Sequence, residues 1–157
     1  MDRVLLVANK TLASEEVSAY VRTRMAKSPC EFTLLVPATP RWDREPAASR
    51  LASGLAGGLE GPAPKYEKED NFEFARSRLE FGLGILRDLG ATVHGDVGDP
   101  NPAKAITEVM QREHFDEVAL STLPKRVSRW LGLDIPRQVE RKFKVPVTVI
   151  KVQGTYP

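Results

Sequence analysis

The feature that most constrains the fold of this chain is a regular alternation of short apolar runs with longer segments of helical periodicity. Val4 to Ala8 is a continuous apolar run that is too short for a helix. Further short strand-like segments lie at residues 31–36, 91–96, 117–120 and 145–152. Continuous apolar runs are typical of strands that are buried on both faces of a parallel sheet. The alternation therefore predicts an α/β domain with a doubly wound, five-stranded parallel sheet.

Helical spacing and end signals mark the segments between these strands. The first helix is predicted to end at Ser28, because Pro29 follows it. The second is predicted to begin at an Asn71 cap and to end at Gly90. Its apolar stripe is predicted to comprise Phe72, Ala75, Leu79, Leu83 and Leu86, widened by Phe74, Phe81 and Ile85. A third helix should begin at an Asn101 cap with Pro102 in its first position, and a fourth should run from about Asp134 to Lys142.

Length and composition limit the class of protein. The 157 residues suit a single domain with its own core. The formal net charge of +2 gives no reason to expect a nucleic acid or an anionic membrane as a partner. No window is long and apolar enough for a membrane span, and the N-terminus runs directly into a strand. Because the single cysteine, Cys30, cannot form an internal disulfide, we expect a reducing compartment and a cytoplasmic protein.

The segment from residue 40 to residue 65 differs from the rest of the chain. It is rich in proline, glycine and alanine and has few large apolar side chains. Such a composition buries too little apolar surface to hold a segment in place. We therefore predict a mobile insertion here.

The sequence does not predict a catalytic or metal site. It has two histidines, His94 and His114, and neither pairs with Cys30 at metal-ligand spacing. No G-x-S-x-G motif is present for a nucleophile. We therefore expect a protein that is not an enzyme.

Ser121 and Thr122 follow the fourth apolar run, where open α/β sheets bind ligands at the carboxyl ends of their strands. A phosphate-binding loop at this point needs glycines, so that backbone N–H groups can approach the phosphate oxygens. The segment from residue 123 to Asp134 contains one glycine, Gly132. The loop is in the position of a phosphate loop but lacks its composition.

Several motifs in order along nearly the whole chain resemble the universal stress protein family. They are the Gly98-Asp99-Pro100 turn before a helix, the Phe115-Asp116-Glu117-Val118 entry to a strand, and the Val145-Pro146-Val147 start of the last strand. The resemblance implies an adenine nucleotide α-hydrolase-like fold with strand order 3-2-1-4-5 and a role in stress responses. ATP-binding members of that family carry a glycine motif after strand four, which consists of G-x-x-G, then nine residues, then G-[ST]. In those members an Asp after strand one and the backbone at the end of strand two help to hold the nucleotide.

This chain departs from the ATP-binding pattern at the matched positions. Ser121 and Pro124 stand at the first two glycines, and Asp134 falls in the G-[ST] pair in either register. Asn9 stands at the Asp after strand one. We expect the Asp134 carboxylate to fill the helix N-terminus, and Pro136 removes a further N–H donor there. The sequence therefore predicts no strong ATP binding and no cofactor.

A cleft is nevertheless predicted at the switch point between strands one and four. Its predicted lining is Asn9, Lys10, Val36, Gly98, Ser121 and Thr122, with Lys125, Arg126 and Arg129 at the rim beside Asp134. The basic rim could bind an anion, or it could be a solvated surface. Trp130 could stack on a base, but packing against the sheet explains it better, and nucleic acid is disfavoured.

The combined interpretation is a universal stress protein-like binding or regulatory module without catalysis. One alternative is a nucleotide or small-anion binding protein that uses the rewritten loop from Ser121 to Asp134. Another is a weak phosphoanhydride hydrolase. We also expect a homodimer through the last strand, from Val145 to Val152, because that strand is apolar and would lie at a sheet edge.

Overall fold

The structure, a computed structural model, describes residues 1–9, 11–38, 65–122 and 134–153, and it describes residues 65–70 by their backbone alone. The strands are β1 (Asp2–Val7), β2 (Cys30–Pro37), β3 (Thr92–Gly98), β4 (Glu117–Thr122) and β5 (Val147–Lys151). The helices are α1 (Glu15–Lys27), α2 (Lys65–Asp88), α3 (Pro102–Arg112) and α4 (Ile135–Phe143). Strands and helices therefore alternate as the apolar runs predicted. Within the described part of the chain, no helix has the length and apolar character needed to cross a membrane.

The five strands form one parallel sheet in the order β3-β2-β1-β4-β5. The central strand β1 pairs on both sides, so that Val7 lies opposite Leu35 of β2 and Leu120 of β4. The strand order reverses its direction between β1 and β4, which is where sheets of this type bind ligands. The predicted fold class and the strand order 3-2-1-4-5 are both confirmed.

Helices cover both faces of the sheet. On one face α1 and α2 pack around side chains that include Leu6 and Phe32. On the other face α3 and α4 pack around a second set that includes Leu5 and Ile106. Neighbouring residues of β1 thus point to opposite faces, as strand geometry requires, and both sets of side chains are buried.

Local hydrogen bonds fix several helix ends where the sequence placed them. The Asn101 side chain accepts hydrogen bonds from the backbone nitrogens of Ala103 and Lys104 at the start of α3. Gly90, with φ of 91°, ends α2. The Gly90 backbone nitrogen donates a hydrogen bond of 2.9 Å to the Arg87 carbonyl oxygen. The Ala91 backbone nitrogen donates one of 3.1 Å to the Leu86 carbonyl oxygen. Glycine takes this left-handed conformation without the steric penalty of a side chain.

Helix α2 differs from its prediction at its start and on its outer face. It begins at Lys65, so Asn71 lies buried inside the helix and does not cap it. Phe74 and Phe81 were predicted to widen the buried stripe, but they are 37% and 60% exposed. Gly82 faces the sheet, where an added Cβ would lie 2.8 Å from Leu34 Cδ2. The helix therefore packs closely on the sheet at Gly82, while these two rings lie on its outer side. The predicted insertion lies outside the described residues, except that Lys65 is helical.

A buried ion cluster joins α1 to the amino ends of β1 and β4. The Arg24 residue is 8% exposed, and its Nε lies 3.0 Å from Oε2 of Glu117. Its Nη2 lies 2.9 Å from Oδ2 of Asp2. Hydrogen bonds from Arg24 and Ser28 lower the pKa of the Asp2 carboxyl. This cluster lies at the end of the sheet opposite the switch point, where it holds the scaffold together.

Candidate functional site

The candidate site lies at the carboxyl ends of β1, β2 and β4. Asn9 comes after β1, and Ser121 and Thr122 end β4. These three polar residues are 6%, 2% and 3% exposed, respectively. Buried polar groups need hydrogen-bond partners, so the partners determine what this site can bind.

Asn9 links the end of β1 to the end of β2. Its side-chain Nδ2 donates a hydrogen bond of 2.9 Å to the carbonyl oxygen of Pro37. A carboxylate has no proton to donate, so an ionised Asp at this position could not make the bond. The family resemblance places an Asp and the backbone at the end of β2 among the nucleotide contacts of ATP-binding members. In this chain the two corresponding groups are bonded to each other.

Ser121 is tied to the loop after β1 in a similar way. Its Oγ donates a hydrogen bond of 2.6 Å to Oγ1 of Thr11, whose hydroxyl lies 3.5 Å from the Ser121 carbonyl oxygen. Both residues are 2% exposed. Ser121 stands at the position of the first loop glycine in the ATP-binding pattern. Its hydroxyl is therefore used inside the protein, and Thr11 is a site residue that sequence reasoning missed.

Two predicted site residues act mainly in packing. The Val36 side chain is completely buried in the core under α1 and α2. Gly98 ends β3, and a Cβ there would lie 2.7 Å from Cβ of Ala105 on α3. Glycine at this position lets α3 approach the sheet closely. Neither residue has a polar side chain to offer a ligand.

Asp134 occupies the predicted N-cap position of α4, but its side chain does not act as predicted. The residue has φ of 56° and ψ of 36°, and its carboxylate makes no hydrogen bond to the helix backbone. Capping side chains usually come from an extended backbone, whereas this left-handed one turns the carboxylate away. The carboxylate lies 3.8 Å from Nε of Arg137. The prediction that it fills the helix N-terminus is therefore wrong, although Pro136 does fall in the first turn.

Four of the predicted cleft residues, Lys10, Lys125, Arg126 and Arg129, lie outside the described residues, as does Trp130. Their part in the site stays a prediction.

Arg78 on α2 reaches the same cleft and was missed by sequence reasoning. Its Nη1 donates a hydrogen bond of 3.2 Å to the backbone oxygen of Asn9. The signal in the sequence was its position directly before Leu79, at the border of the buried stripe of α2. A cation at such a border must either extend to solvent or turn inward, and here it turns toward Asn9.

A second concave surface lies along β5, at the edge of the sheet. This groove has a volume of about 770 Å³. Its lining consists of Asp134, Pro136, Arg137, Glu140, Arg141, Lys144, Val147, Val149 and Lys151. Val147 and Val149 are half-buried, so the edge is less exposed than its composition predicted.

The edge of β5 also offers backbone groups for pairing. The Pro146 oxygen accepts from the Val118 nitrogen, and the Val152 nitrogen donates to the Thr122 oxygen. Alternate residues of a parallel strand bond to the same neighbour, so even-numbered residues of β5 face β4. The N–H groups of Val147, Val149 and Lys151 therefore point away from the sheet.

The His, Cys, Asp and Glu side chains of the described residues do not form a metal-binding group at the cleft. In the part of the chain that the structure describes, no group of three or more His, Cys, Asp or Glu side chains could hold a metal ion. His94 is an exposed residue of the edge strand β3. His114 Nε2 lies 3.3 Å from Oδ1 of Asp116, and its side chain is 77% exposed.

Solved structures provide the comparison with known proteins. A universal stress protein family protein from Arabidopsis thaliana, solved with AMP bound, matches with a TM-score of 0.57 and 15% identity, over 98% of this chain and 94% of that chain. A universal stress protein from Archaeoglobus fulgidus matches with a TM-score of 0.60 and 13% identity, over 96% of this chain and 94% of that one. The structure titled as the Archaeoglobus fulgidus universal stress protein in complex with dAMP has a TM-score of 0.56 and 15% identity, over 96% and 98% of the two chains.

No protein-family model matches the sequence, and no curated protein matches it significantly. At these levels of identity a structural match shows the fold alone. The order of the strands, the helices on both faces and the coverage of nearly the whole chain agree with those structures. The chain therefore has the α/β fold of the universal stress proteins.

Proposed function

We propose that this chain is a non-catalytic binding or regulatory module that does not bind ATP strongly. The observation that supports this function is the pairing of polar groups inside the switch-point cleft. Asn9 bonds to the Pro37 carbonyl, and Ser121 bonds to Thr11. A nucleotide that used these groups would have to break both bonds, and each buried group would then need a new partner.

A second candidate function is the binding of a nucleotide or a small anion in the same cleft. The comparisons support it, since solved proteins with this fold contain AMP or dAMP. Pro136 and the single glycine in residues 123–134 argue against a phosphate held by backbone N–H groups. Binding of an anion in this cleft would therefore depend on positively charged side chains.

We also propose a symmetric homodimer that forms through β5. The outward N–H groups at this edge could pair with the same strand of a second copy, and a two-fold axis would make the pairing antiparallel. Such pairing would bury the half-exposed Val147 and Val149. A cytoplasmic protein with a role in stress responses fits the buried free Cys30 and the fold.

A thermal-shift screen tests the proposed function. ATP, AMP, inorganic phosphate and acetate are each added at millimolar concentration, and the melting temperature is measured. A ligand that binds only the folded state raises it. The proposal predicts no shift with ATP beyond that with inorganic phosphate. A shift with ATP and AMP that saturates at micromolar concentration would favour the second candidate and contradict the first.

A further inference from the structure

Arg78 brings a partly buried positive charge to the cleft, and no carboxylate of the described residues balances it. The guanidinium carbon lies 5.0 Å from the centroid of the Phe74 ring, and Nη1 donates to the Asn9 backbone oxygen. Nε is buried and has no hydrogen-bond acceptor. Among the described residues, no Asp or Glu forms an ion pair with Arg78.

This arrangement is unfavourable for the protein alone. Burial lowers the pKa of the Arg78 guanidinium, and no negative group opposes the shift. Arginine has five N–H donors, and here one donor satisfies one backbone oxygen. Arg24, by contrast, is more deeply buried and is surrounded by Asp2, Ser28 and Glu117. The fold therefore surrounds the charge of Arg24 with acidic and polar partners, whereas no carboxylate of the described residues balances the charge of Arg78.

We propose that Arg78 anchors an anionic group of a ligand, a carboxylate or a phosphate, at the α2 side of the cleft. The inference rests on the proposed function, because it assigns a ligand class to the same cleft. The planar guanidinium fork matches both kinds of anion. Phe74 lies against the guanidinium, and its ring face is attractive to the cation. Because the side chain is half-buried, an anion can reach the guanidinium and would bind in a partly desolvated site.

Arginine side-chain NMR tests the proposal directly. The Nε–H signal of Arg78, assigned by its loss in Arg78→Gln, is followed during separate titrations with inorganic phosphate and acetate. The proposal predicts a saturable shift of this signal with at least one of the two anions. The anion that gives the tighter saturation identifies the chemical class. A signal that moves only linearly, as other exposed arginine signals do, would overturn the proposal.

Variants separate an anchoring role from a structural one. Arg78→Gln should weaken the binding of the preferred anion by about tenfold or more, whereas Arg76→Gln, at an exposed position on the same helix, should leave it unchanged. Arg78→Met should melt at the same temperature as the parent or higher, because it removes an unbalanced charge. A variant that melts clearly lower and still binds the anion would show that Arg78 only supports Asn9, and would overturn the proposal.

The outcome is distinguishable from a failure of the proposed function. If ATP binds at micromolar concentration and the Arg78 signal does not move, both proposals fail. Weak ATP binding with an unmoved signal leaves the proposed function standing and rejects the anion anchor. If ATP binds tightly and its binding requires Arg78, the anchor stands and the proposed function fails.

Discussion

The side-chain amide of Asn9 donates a hydrogen bond of 2.9 Å to the carbonyl oxygen of Pro37 and so joins the carboxyl ends of β1 and β2. Both groups lie at the switch point of the sheet, where open α/β sheets bind ligands. With Asn9 only 6% exposed, the bond belongs to the interior of the protein.

Asn9→Ala should lower the free energy of unfolding by about 1–3 kcal/mol, because it leaves the Pro37 carbonyl without this partner. Urea denaturation of parent and variant measures the difference. Gln111→Ala is the matched control, since it removes an exposed amide from α3 and should change stability by no more than about 0.5 kcal/mol. Equal free energies of unfolding for the Asn9 variant and the parent would mean that this hydrogen bond does not stabilise the fold.

The hydroxyl pair of Thr11 and Ser121 should behave as a coupled unit. Thr11→Val and Ser121→Ala each leave one buried hydroxyl without its partner, so each should destabilise the fold by about 1 kcal/mol or more. The double variant should lose less than the sum of the two, with a coupling energy of about 0.5–3 kcal/mol. A double-mutant cycle by urea denaturation measures this energy, and strict additivity would show that the two hydroxyls do not interact.

Arg24→Met should be among the most destabilising substitutions, at about 3–5 kcal/mol, because it leaves the Glu117 carboxylate, whose side chain is 16% exposed, without its buried partner. Arg22→Met on the same helix is the control, since Arg22 is half-exposed and should contribute about 0–1 kcal/mol. The loss of stability in each variant is measured by thermal unfolding and compared with the parent. A similar loss in both would contradict the importance of the buried cluster.

The same cluster predicts a pH dependence. The folded-state pKa of Asp2 is lowered, so its contribution to stability is present above the unfolded-state pKa of about 3.9 and is lost as pH falls through the folded value. Asp2→Asn should therefore flatten the fall in melting temperature at acid pH. An unchanged acid profile in this variant would show that other carboxylates cause the fall.

Light scattering at micromolar concentration should give twice the chain mass of 17.4 kDa. Val149→Pro should lower this mass, because it removes an N–H that points away from the sheet. Thr148→Val keeps every backbone donor and should leave the mass unchanged. A parent protein that is monomeric at this concentration would refute the dimer.

The scaffold was predictable because its signals are local or repeat along the chain. The apolar run from Val4 to Ala8, the Asn101 cap and the Gly90 stop each act within a few residues, and the structure has all three. The strand order came from the family resemblance, not from these local signals.

The site was predictable only in part, because its contacts join residues far apart in the sequence. Asn9 follows β1 and Ser121 lies at the end of β4, as the apolar runs predicted, but their partners Pro37 and Thr11 depend on how the strands align. Asp134 was placed correctly at the start of α4, yet its left-handed backbone, which no sequence signal specified, turned the carboxylate away. Arg78 was missed because its burial depends on the packing of α2 against the loop after β1.

The most direct test of the central claim is a calorimetric titration of the parent protein with ATP. Because the Asn9 side-chain amide nitrogen is already bonded to the Pro37 carbonyl oxygen and the Ser121 hydroxyl to Thr11, we predict no binding tighter than the millimolar range. A micromolar dissociation constant for the parent would contradict the account.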